Sequence, residues 1–359
     1  RRRGSPPRVR GRAVSGGGES VTTGGDPGWE AEIPGFPGPP HRADQKRPAE
    51  PIEQAIRQQV GDLRRRGVVV GLSGGIDSSV VTCLAVRALG AERVQVLLMP
   101  ERASSSESLT LGRLLTSQLG VATIVEDIAP TLEAAGCYAR QDEAIRSMFP
   151  EYGDGWKNKI TLPSILESDR LNFSELIVES PTGERKSARM TPKAYLQMVA
   201  ATNFKQRVRK TMDYFHADRL NYAVVGTPNR LEYDQGFFVK NGDGSADVKP
   251  IAHLYKSQVY ALAKHMRLPD DICNATPTTD TYSLAQGQDE FYFALPYQKM
   301  DLAVWALNHG RPASELAGAL GVTEQQALNV YRDIEAKRKT TRYLHLRPQL
   351  IEELPELHL

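Results

Sequence analysis

A glycine-rich turn between a buried strand and a helix is the feature that most constrains this chain. The apolar run from Val68 to Leu72 ends at Ser73-Gly74-Gly75-Ile76-Asp77-Ser78, and apolar residues then recur at helical spacing as far as Leu89. Glycines let the backbone turn sharply and approach an anion closely. The following helix directs its N–H groups and the positive end of its dipole at the same point. The pattern predicts a phosphate-binding loop, in which the Asp77 carboxylate suits a Mg²⁺ ion bridging to the phosphate.

Two common phosphate-binding patterns are excluded. No Gly-Lys-Ser/Thr follows the glycines, so the loop is not a Walker loop. Gly-x-Gly-x-x-Gly is absent as well, which excludes the dinucleotide fingerprint. A strand-to-helix turn can also be glycine-rich for steric reasons alone. Assigning a phosphate-binding function to this loop therefore needs support from a second motif.

Composition sets the class of protein. The chain has 359 residues, of which 40% are hydrophobic and 25% charged, and its formal net charge of +2 gives no argument for nucleic acid or an anionic membrane. Three widely spaced cysteines without a Cys-x-x-Cys pair favour a reducing compartment over a disulfide framework or zinc site. No apolar run reaches the roughly 20 residues that span a bilayer. We therefore expect a cytoplasmic globular protein with no membrane partner.

Residues 1–50 differ from the rest, with an arginine-rich start followed by a stretch rich in Gly, Pro and Ser. Such a segment buries too little apolar surface to offset its ordering entropy, so we expect a disordered tail. The globular domain is expected to span residues 51–342, followed by a C-terminal tail over 343–359.

Short apolar strands alternate with helices in the first half of the domain. Strands are predicted at 68–72, 94–99, 121–125 and 220–225, and helices at 52–63, 78–89, 106–119 and 192–215. This alternation indicates an α/β fold with a doubly wound parallel sheet, followed by a helical C-terminal part. Ligands of such sheets bind beyond the carboxyl ends of the strands, where Ser73 and Thr227 would share one crevice.

Two segments leave alternatives open. Periodicity fades between residues 138 and 191, which form either a lid or an inserted subdomain. Residues 313–328 resemble a DNA-binding helix-turn-helix, whose recognition helix normally carries Arg, Asn, Gln or Lys aimed at base edges. Here Glu324, Gln325 and Gln326 open the second helix, and basic residues appear only from Arg332 onward. A helical hairpin packed on the core is favoured, and nucleic acid is not an expected partner.

A second motif runs from Gly226 to Lys256 and includes Gly226-Thr-Pro-Asn-Arg-Leu-Glu232 and Lys240-Asn-Gly-Asp-Gly-Ser-Ala-Asp247. With Ser73 to Ser78, which resembles the pyrophosphate loop of N-type ATP pyrophosphatases, it resembles the ammonia-dependent NAD synthetases over roughly residues 51–338. Those enzymes adenylate the nicotinate carboxylate of deamido-NAD, and ammonia then displaces AMP. The resemblance implies NAD, AMP and pyrophosphate as products, Mg²⁺ as cofactor, and a homodimer.

The resemblance also assigns roles to residues. Asp77 and Lys256 would be catalytic, and Asp77 and Glu232 would bind Mg²⁺. Deamido-NAD would contact Arg207, Lys240, Asp247 and Lys337. ATP would contact Gly71, Leu72, Ser73, Gly74, Gly75, Ile76, Asp77, Ser78, Thr227, Lys256 and Thr278.

Several features depart from the family pattern. Ser104 to Ser108 replaces an acidic run, Ala336 replaces a histidine before Lys337, and residues 138–190 are longer than in compact members. These differences leave open a paralogous ligase that amidates another carboxylate. The arginine-rich start and the hairpin leave a third alternative, a non-catalytic nucleotide- or DNA-binding regulator. Only low-complexity sequence precedes the domain, so the nitrogen would come from free ammonia or from a separate amidase chain.

Overall fold

A computed structural model describes residues 48–162, 174–275, 282–284, 286–287 and 289–352. Its central sheet contains β1 (Val68–Gly71), β2 (Val94–Leu98), β3 (Ala122–Val125) and β7 (Ala223–Val225). All neighbouring strands are parallel, and their order is β3-β2-β1-β7. Strand order reverses between β1 and β7, which is where ligands bind in open parallel sheets.

Helices cover both faces of this sheet. Val68 and Val70 point into a core formed with helices α1 (Glu50–Asp62), α2 (Ile76–Leu89) and α8 (Lys256–His265). Val69 packs on the other face with Ala217 of α6 (Pro192–Leu220). This alternation follows from the two-residue period of a strand. The predicted doubly wound parallel sheet is confirmed. The helices are α1 (Glu50–Asp62), α2 (Ile76–Leu89), α3 (Ser106–Leu119), α4 (Ala129–Ala134), α5 (Cys137–Arg146), α6 (Pro192–Leu220), α7 (Arg230–Gln235), α8 (Lys256–His265), α9 (Asp270–Cys273), α10 (Tyr297–Asn308), α11 (Ala313–Leu320) and α12 (Glu324–Thr341).

The boundary between α6 and β7 differs from the prediction. A strand was expected from Leu220, but Leu220 is the last residue of α6 and the strand begins at Ala223. Asn221 adopts the left-handed conformation, with φ of 55°, and ends the helix there. The stretch 220–225 therefore combines a half-buried helix end with a strand, which hydrophobicity alone does not separate.

A second sheet lies within residues 138–191. It is antiparallel and consists of β4 (Lys157–Thr161), β5 (Glu175–Glu179) and β6 (Arg185–Arg189). Ile160, Leu176 and Val178 pack with Met198 of α6 in a separate apolar cluster. The backbone N–H of Leu284 donates to the carbonyl of Asn158 at 3.1 Å. A later segment of the chain therefore rests on this small sheet.

The C-terminal helices form a third apolar cluster. Leu316 and Leu320 of α11 pack with Ala327 and Val330 of α12 and with α10. The helix-turn-helix-like sequence is therefore a hairpin that buries its apolar face against its own domain. In the part of the chain that the structure describes, no helix has the length and apolar character required to cross a membrane.

A buried ion pair ties the end of β2 to α6. The Lys205 ammonium lies 3.1 Å from Glu101 Oε1, and both side chains are almost completely buried. The hydroxyl of Tyr138 donates to Glu101 Oε2 at 2.8 Å and also accepts the backbone N–H of Arg102. Because the charges are paired and hydrogen-bonded, their burial is tolerated, and the segment after β2 is held against α6.

Substitution of Glu101 by glutamine should therefore destabilise the protein strongly. The Lys205 charge would stay buried without its counter-charge, which lowers the free energy of unfolding by about 3 to 5 kcal/mol. Urea unfolding measures this loss. Glu179→Gln is the control. Arg185 Nε lies 2.6 Å from Glu179 Oε2, but the arginine side chain is exposed. The free energy of unfolding should therefore fall by less than about 1 kcal/mol. Equal losses in the two variants would contradict the role given to the buried pair.

Candidate active site

Hydrogen bonds between two serines shape the loop after β1. The N–H of Ser73 donates to Ser78 Oγ at 3.2 Å, and the hydroxyls of Ser73 and Ser78 are 3.1 Å apart. Ser78 Oγ also donates to the Gly75 carbonyl at 3.0 Å. Gly74 has a φ of +81°, in the region that favours glycine. These contacts close a narrow turn directly before α2, whose first N–H groups have no acceptor within the helix.

A cleft opens at the carboxyl ends of β1, β2 and β7. It encloses a cavity of about 160 Å³ beside the loop. Arg209 of α6 helps to form its wall, since Nε donates to the carbonyl of Met99 at 3.3 Å and Nη2 lies 3.4 Å from Ser104 Oγ. Five of the residues predicted to contact ATP line this cleft: Gly71, Leu72, Ser73, Ser78 and Thr227.

Asp77, at the start of α2, meets side chains from two other elements. Its Oδ2 forms an ion pair with the ammonium of Lys256, the first residue of α8. Its Oδ1 accepts a hydrogen bond from Asn229 Nδ2 at 3.0 Å. The backbone N–H of Asn229 in turn donates to Glu232 Oε2 at 3.1 Å. Asp77, Glu232 and Lys256, which lie far apart in sequence, therefore converge on one site.

The charges of this site perturb one another. Burial and the neighbouring Asp77 carboxylate raise the pKa of Glu232 to about 8. Burial alone would lower the pKa of Lys256, but the carboxylates of Asp77 and Glu232 raise it overall. The raised pKa favours the protonated form of Glu232 at neutral pH. A further cation beside Asp77 and Glu232 would favour the ionised form of Glu232 instead.

The donor set is compatible with magnesium. Within the described ranges no group of three or more His, Cys, Asp or Glu could hold a metal ion. Magnesium does not need one, because it often binds through one or two carboxylates while phosphate and water oxygens complete its octahedron. Asp77 and Glu232 supply such a pair. Burial, followed by repulsion from Asp77, raises the pKa of Glu232, and a bound cation would oppose both effects.

Two residues that the sequence analysis did not single out support this geometry. Asn229 is 1% exposed; its Oδ1 accepts the N–H groups of Leu231 and Glu232, which caps α7. Its signal was present in the sequence, because Asn followed three residues later by Glu is a capping-box pattern. Asp301 of α10 is buried and accepts the backbone N–H groups of Lys256 and Ser257, at 3.2 and 2.7 Å. Burial raises its pKa to about 7.

The other residues predicted to contact ATP have different surroundings. Gly74, Gly75 and Ile76 lie in the loop itself, with Gly75 preceding the first turn of α2 and Ile76 buried in the core. Lys256 is 2% exposed and bound to Asp77. Thr278 lies outside the described residues.

The residues predicted to contact deamido-NAD separate into three places. Arg207 Nε donates to the carbonyl of Lys240 at 3.2 Å, so these two are adjacent. Asp247 accepts the N–H of Val224 at 2.7 Å and lies beside β7. Lys337, on α12, donates to Asp333 at 2.6 Å and lies over the ring of Tyr292.

A second, more open cleft of about 450 Å³ lies next to three of these four residues. Thr211, which lines it, donates to the carbonyl of Arg207. Tyr214, another lining residue, donates to Asp247 Oδ1 at 3.3 Å, and Asn241 follows Lys240 in the chain. Lys210 lines both clefts, which therefore adjoin along α6.

A parallel sheet with a glycine-rich loop at its switch point, and with paired carboxylates beside that loop, defines a nucleotide-binding α/β protein. The sequence model of the NAD synthase family matches residues 49–149 and 171–343. The chain belongs to this family, as its sequence predicted. Over 316 residues it is 57% identical to an NH₃-dependent NAD⁺ synthetase of Rhizobium meliloti (strain 1021), covering 88% of this chain and 95% of that protein.

Other relatives agree with this assignment. An NH₃-dependent NAD⁺ synthetase of Mesorhizobium japonicum is 57% identical over 314 residues, which cover 87% of this chain and 98% of that protein. The fold resembles that of the NH₃-dependent NAD synthetase of Campylobacter jejuni, with a TM-score of 0.55, 23% identity, and coverage of 85% of this chain and 97% of that one. The predicted resemblance to ammonia-dependent NAD synthetases is confirmed.

Replacing Gly74 by alanine should disturb the loop. A Cβ there would lie 2.4 Å from the carbonyl oxygen of Ser108, in a backbone conformation that L side chains avoid. Displacement of the loop should cost at least one hydrogen bond to a charged phosphate and so weaken binding of a non-hydrolysable ATP analogue roughly 10- to 100-fold, measured by calorimetry. Gly120→Ala is the control: φ is +61° there too, but no atom lies within 4 Å of the added carbon. Unchanged binding by the Gly74 variant would refute the contact argument.

Proposed function

We propose that this protein converts deamido-NAD to NAD in two steps, with ATP and ammonia as co-substrates. The nicotinate carboxylate attacks the α-phosphorus of ATP; a new O–P bond forms, and the bond to the β-phosphate breaks to release pyrophosphate. The nitrogen of ammonia then attacks the activated carbonyl, loses a proton and displaces AMP. The single observation that carries the proposal is the convergence of Asp77, Glu232 and Lys256 beside the loop of Ser73 to Ser78.

Each group of residues has a role that its chemistry allows. The loop and the first turn of α2 would hold the β- and γ-phosphates, since oriented N–H groups and the helix dipole favour anions. Lys256 would place a fixed positive charge beside the phosphates, where negative charge develops as the α–β bond breaks. Asp301 accepts hydrogen bonds from the backbone at the start of α8, which fixes the position of the Lys256 backbone. Asn229 orients Asp77 and, through its backbone, Glu232.

Asp77 and Glu232 would hold Mg²⁺. The ion would neutralise phosphate charge and make pyrophosphate a better leaving group. Lys256 lies against Asp77 and would remain close when a cation joins the site, because two carboxylates and a triphosphate together supply ample negative charge.

The second cleft supports a site for deamido-NAD. Arg207 and Lys240 are cations beside it, suited to the substrate's phosphates, and Asp247 would accept from a ribose hydroxyl. Lys337, on α12, would have to reach the substrate from another side. Because the two clefts adjoin at Lys210, the nicotinate end of deamido-NAD could approach the α-phosphate of ATP. Free ammonia is the proposed donor, with delivery by a separate amidase chain as the alternative.

The assay of this function combines protein, deamido-NAD, MgATP and ammonium chloride. NAD, AMP and pyrophosphate should form in equal amounts, as measured by chromatography, and removal of Mg²⁺ with EDTA should stop the reaction. Asp77→Asn should lower kcat by at least about 100-fold, because it removes a metal ligand and the partner of Lys256. Asp62→Asn, at the exposed end of α1, is the control. ADP and phosphate as products would exclude adenylation, and AMP formation with a different carboxylate alone would identify another acid substrate.

Glutamine in place of ammonium separates the nitrogen donors. The protein alone should form no NAD from glutamine. NAD formation from glutamine by the isolated chain would contradict the proposed use of free ammonia.

We also propose that the protein is a cytoplasmic homodimer. Along α6, Tyr195, Leu196 and Phe215 are large apolar side chains with 38%, 65% and 57% of their surface exposed. Burial of these side chains against a second copy would remove them from water. Cys83, Cys137 and Cys273 are all free, which suits a reducing compartment.

Leu196→Lys tests the homodimer. A charge within an apolar contact is costly to bury. The dissociation constant of the dimer, measured by sedimentation equilibrium, should therefore rise at least about tenfold. Leu114→Lys, an exposed apolar position on α3, is the matched control and should leave the mass unchanged. A monomeric wild-type protein at micromolar concentration would refute the proposal without affecting the catalytic one.

A further inference from the structure

A buried carboxylate on α6 has an oxygen without a partner. Asp213 is 3% exposed, and its Oδ2 lies 2.8 Å from the ammonium of Lys210, one turn earlier in the helix. Its Oδ1 has no hydrogen-bond partner among the described residues. Buried polar atoms in native proteins are nearly always hydrogen-bonded, so an orphan of this kind calls for an explanation.

The orphan oxygen belongs to the cleft beside the phosphate-binding loop. Asp213 lines that cleft together with Lys210 and Gly71, the last residue of β1. An added Cβ on Gly71 would lie 3.3 Å from Asp213 Oδ1, so this almost fully buried oxygen faces the end of β1. Asp213 thus lies at the strand-end floor of the cleft and next to the first residues of the loop.

The charges around Asp213 restrict what it can bind. A phosphate is disfavoured, because a carboxylate repels it and the loop from Ser73 to Ser78 offers N–H groups instead. A metal ion is disfavoured as well, because the charged groups acting on Asp213 are cations such as Lys210 and Arg209, with no second carboxylate like the one that Glu232 provides beside Asp77. A neutral group with an N–H or O–H donor is what remains. Such a group would gain a charge-assisted hydrogen bond in a site shielded from water.

We propose that Asp213 Oδ1 accepts a hydrogen bond from the nucleoside part of ATP, and that this contact contributes to the choice of nucleotide. The donor is either the 6-amino group of adenine or a ribose hydroxyl, which share this chemistry. The inference rests on the proposed ATP site, whose triphosphate lies at the loop and whose nucleoside therefore extends into the cleft. Lys210 acts as the fixed counter-charge that makes the buried carboxylate tolerable.

Kinetics with nucleotide analogues test the contact. We would measure kcat/KM for ATP, inosine triphosphate, 2′-deoxy-ATP and 3′-deoxy-ATP in the wild type and in Asp213→Asn, with saturating deamido-NAD and ammonium. In the wild type, the analogue that lacks the donor should be roughly 10- to 100-fold poorer than ATP, as expected for a lost hydrogen bond to a charged group. The analogue that shows the penalty identifies the donor.

In Asp213→Asn that penalty should shrink by at least about tenfold, because Lys210 retains the amide oxygen and the NH₂ group faces the cleft as a donor. Inosine triphosphate, which carries a carbonyl at C6, should even be preferred over ATP if the adenine amine is the partner. Asp62→Asn should reproduce the wild-type ratios. Penalties that agree within twofold between wild type and Asp213→Asn for all three analogues would overturn the proposal.

A second variant tests the contact in case Asp213→Asn does not fold. Lys210→Met combined with Asp213→Leu removes both charges together, which is tolerated better than removal of one. Its circular dichroism and thermal midpoint report folding, and the analogue penalty should vanish in it as well; retention of the penalty in a folded double variant would also overturn the proposal. Wild-type protein that forms no AMP with any nucleotide would instead refute the proposed function itself.

Discussion

The ion pair between Asp77 and Lys256 is the contact on which the rest of the site depends. It joins the first turn of α2 to the first residue of α8, and Asn229 adds the start of α7 through a hydrogen bond to the same carboxylate. The starts of α2, α7 and α8, which follow β1 and β7, are thereby held in one arrangement. Burying these charges has a cost, which the site offsets by pairing them and by the hydrogen bonds that Asn229 donates to Asp77 and Glu232. Charges held by one another in this way are preorganised, which is how enzymes avoid reorganisation during the reaction.

Local sequence signals predicted much of this site. The loop from Ser73 to Ser78 was predictable because a glycine-rich turn after an apolar strand is visible in the local sequence. Glu232 was predictable as well, because it lies at a helix start that a few neighbouring residues specify. Asp301 and Asp213 gave no such signal. Each acts through a partner from a different part of the chain or through a cavity, and only tertiary packing brings these together. Asn229 could have been predicted, since its capping pattern with Glu232 is visible in the sequence.

The fold, like the site, contains elements that local sequence predicts and elements that it does not. β1 and β2 were predictable, because strands buried on both faces read as apolar runs. β3 is a mostly exposed edge strand, and its β-branched Thr, Ile and Val made it predictable. The sheet of β4 to β6 was not, since strands such as Lys157–Thr161 and Arg185–Arg189 are mostly polar and half-exposed. Their apolar positions, among them Ile160, make sense only once the opposing cluster with Met198 is known. A polar edge on such a sheet also limits its pairing with other chains.

α6 connects these parts because it touches nearly all of them. Its 29 residues extend about 43 Å at 1.5 Å per residue. Met198 packs on the antiparallel sheet, Lys205 pairs with Glu101 after β2, Arg209 and Asp213 border the first cleft, and Ala217 covers the central sheet. Sharp kinks in helices occur at Pro, at Gly/Ser pairs or at π-bulges, and α6 contains no Gly, no Ser and no Pro after its first residue. The antiparallel sheet and the residues that border both clefts are therefore attached to one uninterrupted helix, which sets their positions relative to one another.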